Sequence, residues 1–134
     1  MKALLRLLSL CFAAGAFGAC ANSLAVWASG HLGLTAALGV SLAPALTLGW
    51  LYPRMVWGGL WGLLFALPMT FRSWVVHGVV VGLAPALAQL LVVFPRAGKG
   101  TFGLELGAMT PLLVVVFDAV WGIATSGWLR TTGR

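Results

Sequence analysis

The chain has 134 residues, of which 61% are hydrophobic and only 7% charged, against roughly 25% charged in an ordinary soluble domain. So few polar groups cannot cover a water-exposed surface, and the composition points to one integral membrane domain over residues 1–134. Eight Lys and Arg against two acids give a net charge of +6. These basic residues sit singly or in pairs between apolar runs, and no basic stripe interleaved with stacking aromatics marks a nucleic-acid partner.

The N-terminus, MKALLRLLSLCFAAGAFGAC, has a basic start, an apolar centre and small residues before Cys20. That order resembles a secretory signal. Phe17 stands where a lipoprotein cleavage box wants an aliphatic, and the apolar run continues to Ala28. A retained helix over 7–28 is therefore expected, long enough to cross about 30 Å of hydrocarbon. Cys11 and Cys20 lie in this run, on opposite sides of a helix, and have no metal-ligand spacing.

Four more apolar runs follow, roughly 32–52, 55–71, 73–95 and 106–129. Lipid leaves a backbone no partner outside its own segment, so each is expected to be a helix. The predicted fold class is thus all-α, an integral membrane helical bundle with five transmembrane helices. Because 55–71 is short and holds Pro68, four helices plus a re-entrant segment form the alternative.

The five-helix arrangement puts Lys2, Arg6, Arg54, Arg96 and Lys99 on the cytoplasmic side and Arg72, Arg130 and Arg134 outside. The alternative moves six basic residues inside, leaving Arg96 and Lys99 outside, and agrees better with the positive-inside rule. An internal echo favours five. LAPAL occurs at 42–46 and 83–87, and each copy is followed by Pro-Arg, Pro53-Arg54 and Pro95-Arg96. Two parallel hairpins with both Pro-Arg turns in the cytoplasm account for that pattern.

Gly58 and Gly62, and Gly78 and Gly82, are spaced four apart, which makes a shallow helix face for close packing. They serve either the bundle itself or a neighbouring subunit. Pro44 and Pro85 are each expected to remove one backbone bond within a helix.

Gly98-Lys99-Gly100-Thr101 looks like the end of a phosphate-binding loop but departs from it. Lys99 is followed by Gly100, Val93 stands where the first glycine belongs, and the preceding segment reads as a helix rather than a strand. The stretch is better read as a polar turn. Arg96, Lys99 and Glu105 then form the candidate docking loop for anionic lipid or a soluble partner.

Asp118 lies in the middle of the last span, where a charged acid costs roughly 2.5–3.5 kcal/mol. In an antiparallel hairpin it comes level with Pro85 and within a turn of Gln89. Asp118, Gln89 and Pro85 are therefore the candidate intramembrane polar site, either a neutral interhelical hydrogen bond or a proton- or ion-responsive centre. Asn22, Ser41 and Gln89 read as interhelical glue. His31 and His77 fall on one side in the five-helix arrangement, which allows paired haem ligation in principle. No cofactor, metal site or catalytic constellation is expected.

From Trp57 to Arg130 the chain resembles a group of small bacterial inner-membrane proteins without known activity. The resemblance is carried by VWGGLWGLLFALP (56–68), LAPALAQLLVVFPRAGKGTFGLELGAMTP (83–111) and DAVWGIATSGWLR (118–130). More loosely it is similar to the YagU-like membrane proteins, which share a proline–glycine turn before a final small-residue helix. The resemblance implies an all-helical bundle in the bacterial inner membrane and brings no site residues with it; the five-helix arrangement is read with its N-terminus cytoplasmic. The function expected is a non-catalytic accessory or structural subunit of a larger membrane assembly. The alternative is a small oligomeric transporter or channel using Asp118. Its partners are membrane lipids and either other membrane subunits or further copies of itself.

Overall fold

The structure, a computed structural model, describes residues 1–132. It is all-helical among these residues, and Arg134 lies outside them. Helix α1 (Lys2–His31) is followed by the short α2 (Leu34–Ala37), α3 (Leu48–Gly62) and a 3₁₀ turn (Leu63–Ala66). Helix α4 (Trp74–Ala88) runs on through a π turn (Gln89–Val93) into α5 (Phe94–Arg96). A 3₁₀ turn at Thr101–Gly103 precedes α6 (Thr110–Thr131). Three helical stretches, Lys2–His31, Trp74–Arg96 and Thr110–Thr131, are long and apolar enough to cross a membrane.

The long helices run alternately up and down. Gly62 meets Cys11 and Gly58 meets Ala19, so α3 lies antiparallel on α1. Gly18 meets Trp121 and Thr125 while Asn22 meets Phe117, so α6 lies antiparallel on α1 as well. Gly78 meets Gly122 and Gly82 meets Asp118, which sets α4 antiparallel on α6. The order across the bundle is therefore α3, α1, α6, α4, with the two outer helices parted. The helices approach this closely because the contact positions are glycine. A Cβ on Gly62 would lie 2.5 Å from the Cys11 carbonyl oxygen, and one on Gly78 would lie 2.5 Å from that of Gly122. Trp121, 3% exposed, fills the centre and donates its indole Nε1–H to the Gly15 carbonyl at 3.0 Å.

The segment 32–52 is not one helix. After α2 the chain turns at Gly39, where φ is +74°, and runs without helix to Thr47. Pro44 lies in this irregular stretch and interrupts no helix. A residue preceding proline is driven from helical to extended backbone, here Ala43. The stretch has its own partners: Ser41 N–H donates to Leu106 O at 2.8 Å and Thr35 Oγ1 to Leu42 O at 2.8 Å. Thr47 then caps α3, its hydroxyl accepting from Trp50 N–H at 3.2 Å. The helix expected over 55–71 therefore starts earlier, at Leu48, and ends at Ala66.

This shift changes which ends share a side. Pro53-Arg54 lies inside α3, not in a turn, so the two LAPAL copies do not mark repeated hairpins. Arg72 and Arg130 lie at the end of the bundle that holds Lys2 and Arg6. Arg96, Lys99 and Glu105 lie at the other end, away from Met1 rather than beside it. His31 is at that second end and His77 near the first, so the two cannot ligate one haem.

Candidate functional site

Three helices bring polar side chains together: Asn22 and Ser23 from α1, Arg54 from α3 and Asp118 from α6. Asn22 is buried where α1 crosses α6. Its Nδ2 donates to the Phe117 carbonyl at 2.7 Å and, more weakly, to Asp118 Oδ1 at 3.4 Å. Its Oδ1 accepts from Arg54 Nη2. Arg54 Nε donates to Ser23 Oγ at 2.9 Å, and its guanidinium lies over the Trp50 ring, 4.6 Å from the centroid. The Asn22 amide thus stands between the Arg54 guanidinium on one side of the bundle and the Asp118 carboxyl group on the other. With α3 starting at Leu48, Arg54 lies about 9 Å along the helix at about 1.5 Å per residue.

Local sequence explains the placement. Asn22 and Ser23 are adjacent on α1, so one faces α6 and the other α3. Pro53 has no N–H to give within α3, and Arg54 follows it on the face turned to α1. The side chains of Arg54 and Asp118 are only partly buried because they border open space.

That space has two parts. A small cavity of about 120 Å³ lies under the irregular 40–47 segment, lined by Leu42, Pro44, Trp50 and Phe117 among others. A larger cleft of about 440 Å³ lies between the parted helices α3 and α4. Its walls include Trp57, Trp61, Pro85, Ala88, Val92 and Val93. Asn22, Arg54, Gln89 and Asp118 border both. Trp57, Val92 and Val93 are well exposed, so the cleft opens on the flank of the bundle.

The predicted polar residues meet in part. Asp118, Gln89 and Pro85 line one cleft, and the carboxylate's hydrogen-bond partner is Asn22. Gln89 opens the π turn, which ends just before Pro95, where an ordinary α-helical turn would lose its N–H and meet the proline ring. Gly58 and Gly62 pack on α1, and Gly78 and Gly82 on α6. The side chains of Arg96, Lys99 and Glu105 are exposed, and Glu105 meets Lys99 through the backbone, N–H to carbonyl at 3.1 Å. Sequence reasoning missed Arg54, taken for a loop cation, and gave Asn22 no charged partner. The signal available was Thr47, a cap whose helix runs on past Pro53 and so holds Arg54.

At the opposite end, His77 lies between the rings of Phe65 and Phe71, each 4.8 Å away, beside Ser73, Ser126 and Arg130. No group of three or more His, Cys, Asp or Glu is placed to hold a metal among the described residues. No protein-family profile, curated protein or solved structure matches the chain.

Proposed function

We propose that this chain is a four-crossing, non-catalytic protein of a bacterial inner membrane that binds a small ligand at Asn22, Arg54 and Asp118 and carries or presents it within the bilayer. The observation that carries this reading is the charged unit on the floor of an otherwise apolar cleft. Charged residues at such depth are costly and are kept where they line a pathway or a binding site. The fourth crossing is α3 with its 3₁₀ turn, 15 and 4 residues long. At about 1.5 and 2.0 Å per residue they span about 30 Å, the thickness of the hydrocarbon core.

Lys2, Arg6, Arg72 and Arg130 at one end outweigh Arg96 and Lys99 at the other, and by the positive-inside rule this favours a cytoplasmic N-terminus. The competing role, an accessory subunit held by glycine faces, is less favoured because the four spaced glycines are covered within the bundle. The test is thermal stability of the purified protein in micelles against a panel of lipids, inorganic ions and water-soluble zwitterions. A compound that stabilises the native protein, but not the Arg54→Gln/Asp118→Asn variant, supports a ligand site. If none does so, the reading fails.

A further inference from the structure

The cleft between α3 and α4 offers one guanidinium, one carboxyl group and long apolar walls, and this combination selects a ligand class. Arg54 uses Nε on Ser23 and Nη2 on Asn22, and Asp118 meets Asn22 through Oδ1. Nη1 of Arg54 and Oδ2 of Asp118 are left to meet a ligand. A purely anionic ligand satisfies the guanidinium and is repelled by the carboxylate, and a purely cationic one does the reverse. A zwitterion satisfies both.

Resting on the binding-site reading above, we propose that the cleft takes a zwitterionic phospholipid with a primary amine, of the phosphoethanolamine class, which enters sideways from the bilayer. Its phosphate meets Arg54, the charge-assisted pairing that guanidinium favours. Its ammonium donates to Asp118, which a quaternary ammonium cannot do for want of an N–H. The acyl chains leave along Trp57, Val92 and Val93, the exposed apolar rim. A cleft of about 440 Å³ is in the range that houses small ligands, and it need hold only the headgroup. A free, water-soluble zwitterion has the same charges but makes no use of the flank opening, and so the lipid is the better match.

The test is native mass spectrometry of the detergent-purified protein given equal amounts of phosphatidylethanolamine, phosphatidylcholine and phosphatidylglycerol with identical chains. At least about tenfold preferential retention of the ethanolamine lipid is expected, since one lost charge-assisted bond is worth that much. The Arg54→Gln/Asp118→Asn variant removes both charges together and should abolish the preference. Val92→Trp fills the mouth without touching the charges, and should lower retention of this lipid with the helical circular-dichroism signal unchanged. Equal retention of the three lipids, or a preference that survives both variants, marks lipid held on the outer surface and overturns the proposal. If only a water-soluble zwitterion stabilises the native protein, the site reading stands and the lipid assignment falls.

Discussion

Replacing Arg54 by Met keeps much of the apolar stem and removes the guanidinium, so it isolates the charge. The change deletes the bond to Ser23 at 2.9 Å, the bond to Asn22 and the stack on Trp50. Hydrogen bonds to a charged group are worth about 1.5–3 kcal/mol each, and an exposed cation–π contact about 0.5–1 kcal/mol. The site borders an open cleft, so the lower ends of these ranges apply, and an apolar methionine recovers part of the loss. A destabilisation of about 3 kcal/mol is expected, within the range for breaking a buried pair. Asp118→Asn alone keeps the shape and the Asn22 contact but leaves that bond neutral, and should cost at most about 1 kcal/mol, the difference between a charge-assisted and an ordinary hydrogen bond. If Asn22 transmits one charge to the other, the double variant is less damaged than the sum, by at least about 1 kcal/mol. Unfolding in mixed micelles, followed by circular dichroism for the four proteins of the cycle, measures this coupling. Additivity within about 0.5 kcal/mol refutes the claim that the three residues act as one unit.

The packing glycines allow a sharp contrast. A Cβ on Gly122 would strike the Gly78 carbonyl, whereas one on Gly49 meets nothing within 4 Å; Gly122→Ala should destabilise by about 2–3 kcal/mol. Gly49→Ala should be neutral or stabilising by up to about 1 kcal/mol in the same unfolding assay. Trp121→Phe loses the 3.0 Å bond to Gly15 and leaves a gap beside Gly18, and should cost about 2 kcal/mol, with thermal stability in micelles as the measurement. For sidedness, Lys99→Cys should react with an impermeant thiol reagent from outside intact spheroplasts and Arg72→Cys only after lysis. Labelling of both from one side removes the four-crossing arrangement.

Hydropathy made three of the long helices legible, because each is an apolar run long enough to cross a membrane. It misplaced the fourth. The run 32–52 is uncharged, but a window of apolarity does not register that Gly39 turns the chain at positive φ or that Pro44 disfavours helix before it. Thr47 and Ser73 were readable as caps: each hydroxyl accepts from the N–H three residues on, Trp50 and Val76. Using Thr47 to start α3 would have moved Arg54 from a loop into a helix. Asp118 was legible as a residue needing company, since its cost alone demands it. Its partner was not, because Asn22 is 96 positions away in sequence, and only the α1–α6 crossing brings them together.

The position of Asn22 also bears on mechanism. The bundle consists of two antiparallel pairs, α1 with α3 and α4 with α6, joined along the seam between α1 and α6. Arg54 belongs to the first pair and Asp118 to the second, and Asn22 lies in the seam with an oxygen toward one and a nitrogen toward the other. The cleft lies across that same division, with α3 as one wall and α4 as the other. A ligand seated there touches both pairs. Widening the cleft by parting the two pairs stretches the contacts of Asn22 with α6, and the 3.4 Å contact to Asp118 is lost first because it is the weaker. On the proposed reading, a ligand in the cleft therefore bears on the seam at Asn22, while the Trp121–Gly15 bond holds the two pairs together elsewhere along it.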